Sequence, residues 1–283
     1  MSKKFVCGKM IYGIVAIVLF LCISPFVFPD SGKEEKQTAR IVIFGDSCYG
    51  NVRDESSIAS RLEGMTGVTV YNAAFGGTCA GRQDKGNRLD YSGDSLSLAA
   101  LAKAVYAGDF GVQQTIRTGE EITSYFEDTI DGLENLDFSQ TEIVIIGYGF
   151  NDYSTGIPRD NEENELDEYS FAGALRRSVK LLKRVNPDLR IILVTPTYSW
   201  ILYSLQTCEE FDGGDGFLEQ YVEKEIAVAE ELGLEFIDLY HDFYPHEQWE
   251  DWELYTFDGV HPNDAGRELI AEAIAEYLEG AEK

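Results

Sequence analysis

From residue 41 to the C-terminus, short runs of consecutive apolar residues alternate with stretches whose apolar positions recur every three or four residues. Residues 41–44 (IVIF) form the first run, ended by Gly45, and the spacing of Ile58, Leu62 and Met65 predicts a helix over 54–65. Residues 68–71 and 142–146 form a second and third strand, the latter again ended by a glycine. An amphipathic helix over 169–185 stops at Asn186-Pro187 and leads into a fourth strand over 190–195. An acidic helix over 216–232 stops at Gly233, ahead of a fifth strand over 234–237. The last helix opens at Asn263, a good N-cap, and lines up Leu269, Ile270, Ala273, Ile274 and Leu278.

Continuous apolar strands separated by helices imply a parallel sheet covered by helices on both faces, an α/β fold in one domain over 41–283. Ligands of such folds bind at the carboxyl ends of the strands. The segment between strands two and three, residues 79–141, exceeds a minimal crossover. It holds a polar stretch at 84–94 and helical patterns at 96–106 and 119–133. Part of it is expected to overhang the strand ends and shape the pocket.

The first thirty residues read as an address. Lys3, Lys4 and Lys9 precede residues 10–28, which carry no charge. At about 1.5 Å per residue that stretch reaches roughly 28 Å, close to a hydrocarbon core of about 30 Å. The lysines orient it with the N-terminus in the cytoplasm and the body outside. No small-x-small cleavage site follows, which favours an uncleaved membrane anchor over a removed signal peptide; both export the body. Residues 31–40 are a polar linker. The expected location is therefore the cell membrane, with secretion as the alternative.

Charge narrows the partners. The 283 residues carry 50 Asp+Glu against 23 Lys+Arg, a formal net charge of −27, and six of those cations lie within residues 1–40. So acidic a body repels a phosphate backbone, which excludes nucleic acid, and it favours a soluble monomer. Three cysteines lie beyond the leader, Cys48, Cys79 and Cys208, too few for a disulfide framework. Neither C-x-x-C nor H-E-x-x-H occurs, so no metal or other cofactor is expected.

Four short motifs fall where strands end: Gly45-Asp46-Ser47, Gly76-Gly77, Gly149-Phe150-Asn151-Asp152, and Asp258-Gly259-Val260-His261 before the last helix. Each alone is more often a turn or a cap. Together they supply a nucleophile, a base with its orienting acid, and oxyanion donors on one sheet edge, the parts that acyl transfer needs. His261 can take the Ser47 proton, and Asp258 can fold back onto its Nδ1. The Ser47 amide, the Gly77 amide and the Asn151 side-chain NH2 are the candidate oxyanion donors. No G-x-S-x-G surrounds Ser47, which excludes a nucleophile-elbow hydrolase.

In this order and spacing the four blocks resemble the SGNH/GDSL hydrolases, and the resemblance covers about residues 40–280. It implies a flavodoxin-like three-layer α/β/α sandwich with a five-stranded, mainly parallel sheet, and a metal-free serine esterase. By block matching, Ser47 takes the nucleophile's place, Asn151 the oxyanion Asn, and Asp258 and His261 the acid and base. Gly77 aligns best with the oxyanion glycine, and Gly76 is the neighbouring possibility. Cys48 stands where leucine is usual.

Asp238-Leu239-Tyr240-His241 is a second D-x-x-H at a strand end. The Asp258 motif is preferred because a glycine turn and Pro262-Asn263 lead it into the final helix. His246 reads as an exposed loop residue. Cys48 and Cys79 lie on adjacent loops and read as two small buried thiols, with a disulfide as the alternative. Phe150, Tyr153, Tyr198 and Trp200 cluster at strand ends three and four and are candidates for stacking on a sugar, although alternating faces would send about half of them into the core. The expected activity is hydrolysis of acyl esters, O-acyl groups on carbohydrate before long-chain lipids. An O-acyltransferase using the same triad and a non-catalytic glycan-binding module are the alternatives.

Overall fold

The computed structural model describes residues 36–83, 92–116 and 123–281. The apolar stretch at 10–28 and most of the polar stretch at 84–94 lie outside the described residues. No helix among the described residues is long and apolar enough to cross a membrane.

The chain order begins with β1 (Ile41–Gly45), the short helix α1 (Ser47–Gly50), α2 (Ile58–Thr66) and β2 (Val70–Asn72). It continues through α3 (Ser92–Ser95), α4 (Leu98–Ala107), α5 (Phe126–Glu134), β3 (Ile143–Gly147), α6 (Phe150–Ser154), α7 (Phe171–Val185) and β4 (Arg190–Val194). A hairpin of β5 (Trp200–Ile201) and β6 (Gln206–Thr207) precedes α8 (Leu218–Leu232), β7 (Glu235–Ile237), α9 (Trp252–Tyr255) and α10 (Asp264–Ala281). The main sheet runs β2-β1-β3-β4-β7 with every pairing parallel. This is the expected flavodoxin-like α/β/α sandwich, with β1 near the centre and all carboxyl strand ends on one edge.

Strand side chains alternate faces, and the two cores follow that period of two. Ile41, Ile43, Ile145, Ile192 and Val194 pack against Ile58 and Leu62 of α2 and Ile270, Ile274 and Leu278 of α10. Val42, Phe44, Val144, Ile146, Ile191 and Leu193 face the other way, onto α4, α5, α7 and α8. Within the long 79–141 segment, the buried Leu98, Leu101 and Ala102 make α4 a crossover helix packed beside α7.

Glu225 breaks the apolar rule on α8. It is wholly buried, and neither carboxylate oxygen has a hydrogen-bond partner among the described residues. Burial, and then the nearby Asp152, Asp238 and Asp46 charges, push its carboxyl well above the usual range. Such a group takes up a proton on folding, so its penalty grows as pH rises above the unfolded value of about 4.3. Glu225→Met is expected to stabilise the fold by roughly 1–3 kcal/mol at pH 8. The gain in thermal midpoint should be larger at pH 8 than at pH 5, and calorimetry at both values checks it.

Candidate active site

Ser47 is set by the end of β1. Asp46 caps α1, its Oδ1 accepting the Cys48 N–H at 2.9 Å, so the serine opens the helix with its own N–H free of an intrahelical acceptor. Gly45 and Gly147, paired at the ends of β1 and β3, leave room for the Tyr49 ring; a Cβ on either would run into it. Burial pushes the Asp46 carboxyl up to about 6, against the pull of the Cys48 N–H and the His261 ring.

His261 arrives from the loop between α9 and α10. Thr256 and Pro262 bridge its base, and the Phe257 N–H donates to the His261 carbonyl at 2.8 Å. Gly259 has φ +87°, and a Cβ there would strike the Trp200 carbonyl, so this turn requires glycine. Asp258 Oδ1 accepts the Val260 and His261 N–H groups at 3.1 and 2.9 Å. Its Oδ2 lies 2.8 Å from His261 Nδ1, and His261 Nε2 lies 2.9 Å from Ser47 Oγ. Burial alone would raise the Asp258 carboxyl, but the hydrogen bonds from the His261 ring and backbone hold it below the usual range. An ionised carboxylate only accepts, so Nδ1 carries the proton and Nε2 is left to accept from the serine hydroxyl.

The β2 loop supplies N–H donors. The Gly76 N–H is already used, donating to the Tyr125 hydroxyl at 2.8 Å. Gly77, at φ +74°, has no acceptor for its N–H among the described residues, which separates the two glycines that the sequence left open. Asn151 stands in the first turn of α6, and its Nδ2 donates to the Thr78 carbonyl at 2.9 Å. One amide hydrogen is thereby spent on alignment and the other remains for a ligand oxygen.

The second D-x-x-H folds into the same local turn. Asp238 Oδ1 accepts the Tyr240 and His241 N–H groups, and Oδ2 lies 2.7 Å from His241 Nδ1. His241 Nε2, however, faces Glu219 Oε1 at 3.9 Å and no hydroxyl among the described residues. His246 is half-buried rather than exposed, stacked on Tyr198 at 4.1 Å.

Three of the four proposed sugar-stacking aromatics do not fit that role. Tyr153, Tyr198 and Trp200 are buried at 0, 2 and 1% exposure, so only Phe150, half-buried, is near enough to the surface. Tyr153 donates to the Phe211 carbonyl, and the β5–β6 hairpin holds Trp200 against the Asp258 turn through a Trp200 N–H bond to the Gly259 carbonyl. Cys48 and Cys79 are free thiols, and burial pushes both well above the ordinary thiol range. Among the described residues no three His, Cys, Asp or Glu gather so as to hold a metal ion.

Two supporting side chains had no sequence signal beyond their residue type. Arg53 donates to the Gly50, Asn72 and Ala74 carbonyls, tying the end of α1 to the β2 loop, and its guanidinium lies 4.1 Å from the Tyr125 ring centre. Tyr125 comes from the long 79–141 segment and brings its hydroxyl to the Gly76 N–H.

Comparison with known proteins agrees with this fold. A GDSL esterase/lipase of Arabidopsis thaliana is 25% identical over 146 residues, which are 48% of this chain and 59% of that protein. The chain thus spans less than two thirds of that relative's length. A possible lipase from Chitinophaga pinensis superimposes with a TM-score of 0.56 at 16% identity, covering 86% of this chain and 98% of the other. A carbohydrate acetylesterase family member from Sinorhizobium meliloti gives 0.52 at 13% identity, covering 86% and 97%. The model of the GDSL-like Lipase/Acylhydrolase family matches residues 43–269, and the chain belongs to that family.

Proposed function

We propose that this protein is an exported, membrane-tethered serine esterase that removes short O-acyl groups from carbohydrate. The observation that carries the reading is the hydrogen-bonded chain from Ser47 Oγ through His261 to Asp258. Ser47 Oγ attacks the ester carbonyl carbon as its proton passes to His261 Nε2. The Ser47 and Gly77 N–H groups and Asn151 Nδ2 hold the oxyanion. The carbon–oxygen bond to the alcohol then breaks, and His261 returns the proton to the leaving oxygen. Water repeats the sequence on acyl-Ser47, with His261 as its base, and releases the acid.

The preference for a carbohydrate ester rests on the acidic body, the half-buried Phe150 beside Asn151, and the fold shared with a carbohydrate acetylesterase family member. The test is hydrolysis of p-nitrophenyl acetate, butyrate and octanoate and of acetylated xylan, by residues 36–283 and by the Ser47→Ala variant. Ser47-dependent release that favours acetate and xylan is expected; preference for octanoate would contradict the carbohydrate substrate. Efficient acyl transfer to an added sugar in place of water would assign a transferase.

Asn151→Ala removes one oxyanion donor and is expected to lower kcat about 10²–10³-fold with little change in KM. Steady-state kinetics on p-nitrophenyl acetate reads both constants.

A further inference from the structure

Asp152 follows the proposed oxyanion asparagine and is wholly buried, yet no cation pairs with it among the described residues. Its two oxygens instead accept two consecutive backbone donors, the Ala80 N–H at Oδ2 and the Gly81 N–H at Oδ1, both at 2.9 Å. One turn of α6 therefore grips the β2 loop three times, since Asn151 Nδ2 also binds the Thr78 carbonyl. The other end of the loop is fastened separately, Gly76 to Tyr125 and the Asn72 and Ala74 carbonyls to Arg53. Between these two anchors lies Gly77, whose N–H has no acceptor among the described residues and whose backbone is in the left-handed region that glycine adopts without steric cost.

We propose that Asp152 is a positioning residue for the oxyanion hole: its carboxylate clamps Ala80 and Gly81 so that the Gly77 N–H and the Asn151 amide converge on one point. The proposal rests on the esterase reading above. Two backbone N–H groups aimed at one side chain need two acceptor oxygens. A carboxylate has them; a carboxamide has one, and its NH2 would oppose the second N–H. An oxyanion hole works by donors fixed before charge develops, so loosening the loop weakens transition-state binding and spares ground-state binding. Burial pushes the Asp152 carboxyl up to about 7 against the pull of the Gly81 and Ala80 N–H groups, which agrees with an acceptor held for geometry at some cost.

The test compares Asp152→Asn in the parent and in an Asn151→Ala background, using p-nitrophenyl acetate and amide hydrogen exchange. In the parent, kcat is expected to fall about 10–100-fold with KM within about threefold. In the Asn151→Ala background the same change is expected to cost less than in the parent, because one of the two donors it aligns is already gone and only the Gly77 N–H is left to lose its alignment. Exchange at the amides of residues 77–81 is expected to accelerate while the thermal transition stays cooperative. Asp152→Ser, which keeps one acceptor in a smaller side chain, replaces the asparagine variant if that one does not fold. Unchanged kcat, an equal loss in both backgrounds, or unchanged exchange would overturn the proposal. Faster exchange in a protein whose parent shows no Ser47-dependent hydrolysis would sink the esterase reading and leave the clamp standing.

Discussion

Replacing His261 by alanine is expected to lower kcat on p-nitrophenyl acetate by about 10⁴–10⁶-fold, while His241→Ala stays within about threefold of the parent. Both histidines sit in the same aspartate-capped turn, with Nδ1 at 2.8 and 2.7 Å from a carboxylate oxygen. Local geometry therefore cannot rank them. What ranks them is the far side of the ring, where His261 Nε2 meets Ser47 Oγ at 2.9 Å and His241 Nε2 faces Glu219. Without an imidazole at position 261 the serine hydroxyl has no base, and at neutral pH it is a poor nucleophile. Comparable losses in the two variants would mean that the base had been misassigned.

The second large effect concerns Asp258. Asp258→Asn keeps the shape of the turn but replaces an acceptor at His261 Nδ1 with a group that can donate, so the ring is held in the wrong tautomer with Nε2 protonated. A loss of about 10⁴-fold in kcat is expected, with KM nearly unchanged. The oxygen of the asparagine can still accept the Val260 and His261 N–H groups, so the thermal midpoint should move little. Asp238→Asn makes the same change in the other turn and is the control. A similarly small effect at both positions would remove Asp258 from the proton relay.

The four blocks were legible because each needs only a few residues at a strand end, and the order of apolar strands already put those ends on one edge. Gly259 and Pro262-Asn263 distinguish the Asp258 turn from its double in the sequence itself. The aromatics were not legible. Whether Tyr198 and Trp200 face solvent depends on the β5–β6 hairpin, whose strands of two residues each are too short to carry a period of two. Trp200 is buried because that hairpin folds onto the Asp258 turn, and nothing near it in the chain reports this. Other rings are exposed, among them Phe257, 62% exposed beside Asp258, and Tyr203, 82% exposed on the hairpin tip.

The long segment was legible only in part for a related reason. Its helical period located α4 and α5 but could not say which surface each would cover, and α4 fills the space beside α7. Arg53 and Tyr125 are ordinary residue types at ordinary positions. Only tertiary structure reveals that they bind the Asn72, Ala74 and Gly76 backbone around the oxyanion loop.

The proposed chemistry passes through a covalent acyl-serine. Intact-mass and peptide analysis of protein quenched in acid during turnover of p-nitrophenyl acetate measures it directly. The expected result is one acetyl group on the peptide that contains Ser47, accumulating in the parent and absent from Ser47→Ala and His261→Ala. Turnover with no acyl group on that peptide, or an acetyl group that persists in Ser47→Ala, would contradict Ser47 as the nucleophile.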